Sequence, residues 1–346
     1  MVPMRDNSTE IRKVQKTGGA TYIVSLPKDW VEENRIKPGD GLAIRRLEDA
    51  SLQIIPPGAR EKKTAAEAKI GISQDDDPYK IARKVISLYL VGYNVIHIVS
   101  ETKITPIQRE VIKNYVREKL VGAELIADSP SEMTIQVLLS YPELSVKDAL
   151  RRMFLKASSM QKEAISALEK LDRGAAEEVI RLDDEVDRFS MYVIRQIKLA
   201  VQDPRSIKEI GLRNARDCLG YRLIVKSVER IADHAALIAE KVKLINKPLD
   251  KEVLRGIVNM SAFANALVEK SVLALFKEDY DVAEGIIVEK ERAKSMEEKV
   301  AKLALEIPRE DSINVRLITE SLRRIAEYSS DIAEIVLNLT VGESTG

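Results

Sequence analysis

The stretch Val228-Glu229-Arg230-Ile231-Ala232-Asp233-His234-Ala235 lies inside a run, Tyr221 to Asn246, that holds neither glycine nor proline. Such a run reads as helix, because those two residues are the ones that interrupt the helical repeat. At 3.6 residues per turn, Glu229 and Asp233 stand one above the other. Upstream, Arg181-Leu182-Asp183-Asp184-Glu185-Val186-Asp187 places Asp183 and Asp187 in the same relation. Two carboxylate pairs on two helices are therefore set to face one another, and the fold of the second half of the chain follows from how those helices pack.

Working outward, the chain is wholly helical from Ser145. Its punctuation falls at Asp172-Arg173-Gly174, Asp203-Pro204, Lys247-Pro248, Glu278-Asp279 and Pro308. These breaks predict six helices: Val146–Leu171, Ala175–Gln202, Arg205–Asn246, Leu249–Lys277, Tyr280–Ile307 and Arg309–Leu339. They form two sets of three. Glu229-Arg230-Ile231-Ala232-Asp233-His234 matches Arg323-Arg324-Ile325-Ala326-Glu327-Tyr328, and Ile238-Ala239-Glu240 matches Ile332-Ala333-Glu334. Val179-Ile180-Arg181-Leu182-Asp183 likewise echoes Gly285-Ile286-Ile287-Val288-Glu289. An internal repeat of this length predicts two tandem three-helix bundles, at 145–245 and 248–340.

The apolar stripe of the second helix runs Leu182, Val186, Phe189, Val193, Ile197, with Asp183 and Asp187 one step round from it. Glu229 and Asp233 share a row with Val225 and Ala236. All four acids thus sit at the edge of an apolar face. Burying four carboxylates costs several kcal/mol each, or protonates them. A hard cation held by carboxylate oxygens removes that cost. The competing reading is a solvated face neutralised by Arg181, Arg188, Arg222 and Arg230.

The front of the chain is different. Ile11–Lys16 and Thr21–Leu26 flank Thr17-Gly18-Gly19, and Leu42–Ile44 and Leu52–Ile55 flank Glu48-Asp49-Ala50. Between them Pro27-Lys28-Asp29-Trp30-Val31 opens a short helix. Four short strands cannot bury a core alone, so residues 1–57 are expected to dimerise. A charged linker, Arg60 to Thr64, leads to a second region at 65–142. Strands at Ala68–Ile72, Asn94–Val99, Glu124–Ala127 and Met133–Leu138 alternate with helices ending at Leu90 and running Thr105–Leu120, a two-layer α/β domain. Asp75-Asp76-Asp77 before Pro78 reads as helix capping rather than a metal loop. His97 falls inside an alternating strand as a half-buried residue. This region is a spacer or a sensor. The expected fold is therefore multidomain: a small β unit, a small α/β domain and an all-α C-terminal region.

The repeated units, with Asp-x-x-x-Asp on the second helix and Glu-Arg-Ile-Ala-Asp on the third, resemble the PhoU family of phosphate-uptake regulators over Ser145 to Thr340. That resemblance implies a cytoplasmic regulator binding iron, zinc or magnesium on the bundle face. It implies action through partners such as a phosphate transporter ATPase or a sensor kinase. Matched residue by residue, Asp183, Asp187, Glu229 and Asp233 carry the metal motif in the first copy. In the second, Arg323 replaces the Glu, Glu327 the Asp, and Ala293 stands where a second acid belongs, so metal is expected in the first bundle and none, or a weak site, in the second. Lys13 to Pro57, with Leu-Pro-Lys-Asp-Trp and Ile-Lys-Pro-Gly-Asp, resembles the AbrB/SpoVT swapped-hairpin family. This implies an intertwined homodimer, or a higher homo-oligomer, contacting DNA backbone through Arg12, Lys13, Lys16 and Lys28. The alternative is that the unit only dimerises the chain.

Composition limits the rest. Lys plus Arg equals Asp plus Glu, 55 each, so any nucleic-acid contact is a local patch. One cysteine and two histidines exclude an internal disulfide and a cysteine-based zinc module and leave oxygen as the metal ligand. No apolar run spans a bilayer, and no nucleophile, base and oxyanion donors converge, so neither membrane insertion nor an enzyme is expected.

Overall fold

The structure is a computed structural model describing residues 10–19, 21–46, 50–57, 66–138, 144–202 and 204–341, apart from the side chains of 204 and 205. The chain divides into two compact units, Met1–Thr64 and Ala65–Gly346. The expected linker Arg60–Thr64 and the turn residues Glu48 and Asp49 lie outside the described residues.

In the first unit, β1 (Gln15–Thr17) pairs antiparallel with β2 (Thr21–Ile23), with Lys16 opposite Tyr22. Helix α1 (Lys28–Glu33) follows Pro27, and β3 (Ala43–Arg46) pairs with β4 (Leu52–Ile55), Ile44 opposite Ile54. The first hairpin is shorter than the sequence suggests. Its outer residues Ile11 and Val14 are exposed and lie outside β1. No described residue of 10–57 is buried, while Tyr22, Ile44 and Leu52 stand about two-thirds exposed. Hairpins with this little burial are marginal in water by themselves.

The second unit begins with the α/β layer. Strand β5 (Glu67–Ile72) crosses through α2 (Pro78–Val91) to a parallel partner, β6 (Val95–Ser100). After α3 (Pro106–Lys119), β7 (Ala123–Asp128) and β8 (Glu132–Val137) form a hairpin whose second strand inserts beside β6, giving the order β5-β6-β8-β7. Period-2 alternation sends Ile70, Ile96, Ile98, Met133 and Ile135 into a core with Ile81, Val85, Tyr89, Ile112 and Val116 of the helices. Asp77 caps α2 by accepting from Tyr79 N and Lys80 N, and Thr105 with Gln108 closes a capping box on α3. His97 is half-buried between Glu132 and Glu67.

The helices that follow are α4 (Val146–Lys170), α5 (Arg173–Ala200), α6 (Pro204–Glu209), α7 (Ala215–Val242), α8 (Lys251–Lys277), α9 (Tyr280–Glu289), α10 (Glu291–Leu303) and α11 (Arg309–Thr340). Two of the six expected helices are thus divided. The third breaks where Gly211 takes φ +84°, a left-handed turn, and Asn214 starts α7 afresh by accepting from Asp217 N. The fifth breaks at Lys290, where Ala293 N reaches back only three residues to Lys290 O. A 3-10 turn, Ala304–Glu306, follows α10. Helices α4, α5 and α7 make the first bundle; α8, α9/α10 and α11 make the second. One continuous apolar core runs through both, and α7 lies along α11.

The α/β layer packs against the first bundle: α2 and α3 lie on α5 within the same compact unit. Arg195 of α5, fully buried, donates to the carbonyls of Tyr89 and Gly92 and to Asn94 Oδ1, while stacking on the Tyr89 ring at 4.7 Å. A buried guanidinium is tolerated because acceptors surround it. Gly92 ends α2 at φ +115°, and a Cβ there would press on the side chain of Leu199 of α5. The positive φ favours glycine, and any side chain here would displace the Leu199 methyl.

Candidate metal centre

On α5 the stripe residues Val186, Val193 and Ile197 are buried and Leu182 and Phe189 half-buried, which turns Asp183 and Asp187 toward the border with α7. On α7, Val225, Ala232 and Ala236 face the core, which brings Glu229 and Asp233 to the same border. Asp187, Glu229 and Asp233 each offer an oxygen, and these oxygens lie within 4.8 Å of one another. Oxygens bound to one divalent ion at about 2.0–2.6 Å are separated by no more than about 5 Å, so the donor set fits a hard cation. All three side chains are half-buried or more. Asp183 borders this group and is not one of the three.

Electrostatics set Asp183 apart. Burial, then the charges of Asp233 and Asp187, push its carboxyl up to about 7. Its Oδ1 is buried with no hydrogen-bond partner. Burial, followed by Glu229 and Asp187, also raises Asp233. Both effects follow from crowding like charges in a partly desolvated place.

Among the described residues three cations neutralise the cluster. Lys226 pairs with Glu229 and Arg230 with Asp233 at 3.4 Å, both within α7. The contact at Glu229 Oε2 is an ion pair without hydrogen-bond geometry. The third cation comes from elsewhere. Lys119, in the last turn of α3, places Nζ 2.5 Å from Asp184 Oδ1 and 3.1 Å from Asp187 Oδ2. Burial acts to lower its pKa, and the hydrogen bonds to Asp184 and Asp187 more than reverse this. Of the arginines named in the competing reading, Arg181 turns to Glu178, Arg188 keeps a buried Nε without a hydrogen-bond partner, and Arg222 is half-buried. Sequence reasoning did not find Lys119. Its only local signal is a basic residue at a helix C-terminus, which the helix dipole explains equally well.

In the second copy the corresponding row is closed by a guanidinium. Arg323 Nε lies 2.7 Å from Glu297 of α10, and the same side chain pairs with Glu327. Arg324 adds a second bond to Glu327 at 2.6 Å. Glu289, which echoes Asp183 in sequence, is turned to Lys270 instead, and Ala293 is buried.

In the first unit, Arg12 pairs with Glu10, Lys28 sits 3.6 Å from Glu32, and Lys13 and Lys16 are exposed beside the first hairpin. No helix among the described residues is long and apolar enough to cross a membrane.

Comparison with known proteins agrees with this division. The PhoU domain profile matches residues 150–242 and 257–336, once on each bundle. A profile described as antidote-toxin recognition MazE, bacterial antitoxin, matches residues 15–62. A phosphate-specific transport system accessory protein PhoU homolog from Clostridium acetobutylicum is 25% identical over 202 residues, 56% of this chain and 90% of its own length. Homolog 1 from Thermotoga maritima is 24% identical over 204 residues, 57% of this chain and 86% of its own. The crystal structure of PhoU from Pseudomonas aeruginosa superposes with a TM-score of 0.51 at 20% identity, over 57% of this chain and 96% of that one. That of the phosphate transport system regulatory protein PhoU from Streptococcus pneumoniae gives 0.50 at 17% identity, over 57% and 94%. At these identities the solved structures speak for the fold.

Proposed function

This chain belongs to the PhoU family, with a MazE/AbrB-like domain at its N-terminus, and on that premise we propose that it regulates phosphate transport as a metal-binding accessory protein. The observation that carries this reading is the convergence of Asp187, Glu229 and Asp233 at the α5–α7 border. These are motif positions of the repeat, and their oxygens suit iron, zinc or magnesium. Asp183 stands behind them as a carboxylate that ionises more readily once positive charge enters. A bound cation supplies fixed positive charge that rigidifies the α5–α7 border, and a partner such as a transporter ATPase or a sensor kinase docks on that surface. In cells lacking the protein, phosphate uptake escapes regulation. Wild type restores it and the chain carrying D187A and D233A does not. Uptake that is unchanged by the deletion overturns the proposal.

The N-terminal unit favours a second element of function. With no buried residue of its own among those described, it gains a core by pairing with a second copy. Such a pair presents Lys13 and Lys16 twice, with Arg12 and Lys28 held nearby by their own acids. This supports transcriptional regulation through backbone contacts to DNA. A gel shift at low salt against DNA upstream of phosphate-transport genes tests it. Retardation lost in K13E/K16E supports DNA binding. No retardation leaves the unit as the dimerising part of an adaptor.

A further inference from the structure

Among the described residues Lys119 is the one cation at the carboxylate cluster that arrives from another structural layer, and its place there has a consequence for how the cluster is filled. Beside the apolar packing of Met191, Leu90 and Val121, two polar attachments among the described residues tie the α/β layer to α5. One is fixed: Arg195 is buried among three acceptors, and Gly92 lies against Leu199. The other is the ion pair of Lys119 with Asp184 and Asp187. Position 187 lies about 12 Å along the helix from 195 at 1.5 Å per residue. The first attachment is buried and touches none of the three clustered carboxylates. The second holds only while the carboxylates need an ammonium.

We propose that Lys119 is a displaceable occupant of the carboxylate site: a divalent cation entering between Asp187, Glu229 and Asp233 expels the ammonium, so metal content and the seating of α3 on α5 are coupled. This rests on the metal reading above. An ion with two positive charges at Asp187 repels an ammonium held within about 3 Å of the same carboxylate, and it satisfies the oxygens that held it. Lys226 and Arg230 are repelled as well. They stand on α7, one turn from their partners, and swing into solvent without moving any other element. Lys119 ends α3, so its release reaches the α/β layer. By linkage, whatever steadies α3 against α5 weakens metal binding by the same factor. The second copy has no such device. There Arg323 stands in the row itself, held by Glu297 and Glu327 as a fixed cation. One bundle carries a removable counter-charge and the other a permanent one.

The test uses full-length protein with Mn2+ and Zn2+ as probes, competed against a fluorescent chelator, and hydrogen exchange with and without Mn2+. K119M is expected to bind metal about tenfold more tightly or better, the usual range of such couplings. In wild type, Mn2+ is expected to raise exchange in residues 115–119 and lower it in α5 and α7. K226M removes the same charge from α7. It is expected to tighten binding while leaving the rise at 115–119 in place. Metal binding in K119M alone, with none in wild type, also supports displacement. If wild type binds metal, D187A abolishes it and K119M matches wild type, displacement is overturned and the metal site stands. If no variant binds metal, both fall.

Discussion

His234 and Tyr328 hold the same position in the two copies of the repeat, and their rings lie against each other, 5.8 Å between centroids at 31°. Equivalent residues touch only near the axis that relates their copies. The axis of this internal pseudo-symmetry therefore runs between α7 and α11. The same helices carry Glu229 and Arg323 at equivalent places, so the functional difference between the halves comes down to side-chain chemistry on one shared pair of helices.

Two half-buried groups of the first bundle, His234 and Asp183, titrate in opposite senses. Burial, then the charges of Arg324 and Arg230, hold the His234 ring down at about 4, against an ordinary 6.5. The unfolded chain binds the extra proton in that window, so this group costs stability as pH falls from 6.5 to about 4. Asp183 is raised from 3.8 to about 7, so the folded chain holds the extra proton, and stability falls as pH rises through that range. In metal-free protein, H234Q gains on wild type toward pH 4 and D183N gains toward pH 7.5. Each gain is about 1 kcal/mol after allowance for partial exposure. Melting temperatures across pH 4–7.5 check it, and parallel curves for both variants would contradict it.

Replacing Arg195 by Met strands three acceptors beneath α2 and is expected to cost about 2–4 kcal/mol in urea unfolding. Gly92→Ala costs about 1–3 kcal/mol, part from the positive φ and part from Leu199. Leu199→Ala in the same chain recovers only the second part. A loss below experimental error in R195M would mean that the buried guanidinium does not hold the α/β layer.

Exposed Ile44 and Leu52 on the second hairpin predict self-association through the first unit. Full-length protein sediments as a dimer or larger. I44K weakens that association by about tenfold, the effect of roughly 1.4 kcal/mol at a buried apolar position. An unchanged sedimentation coefficient at all concentrations would place the contact elsewhere.

Much of this architecture is legible in the sequence because it is local. Pro106 after Thr105, Asp77 before Pro78 and the glycine-free run through Val228 announce their helices directly. Glycine at 211 is also visible, yet only the conformation shows that it ends a helix, while Gly220 in α7 does not. Lys290 gives no warning at all: its backbone stays helical, and neither glycine nor proline marks the divide beside it.

The site divides along the same line. Asp187, Glu229 and Asp233 follow from helical spacing and an apolar border. Their companion Asp183 shares the spacing but stands behind them, since four residues along a helix carry a side chain about 6 Å and turn it by about 40°, and small differences in packing decide which oxygens meet. Lys119 belongs to another layer, and in the second copy Arg323 takes Glu297 of α10 as partner while Glu289 turns to Lys270. Neither is written in any local pattern.

The most direct measurement is metal content per chain after equilibration with Mn2+, Zn2+ or Mg2+ and removal of unbound ion. About one divalent ion or more per chain is expected in wild type, with loss in D187A and in D233A while both remain folded by circular dichroism. Equal metal content in wild type and in the D187A/D233A double variant would contradict the carboxylate centre from which the functional account is built.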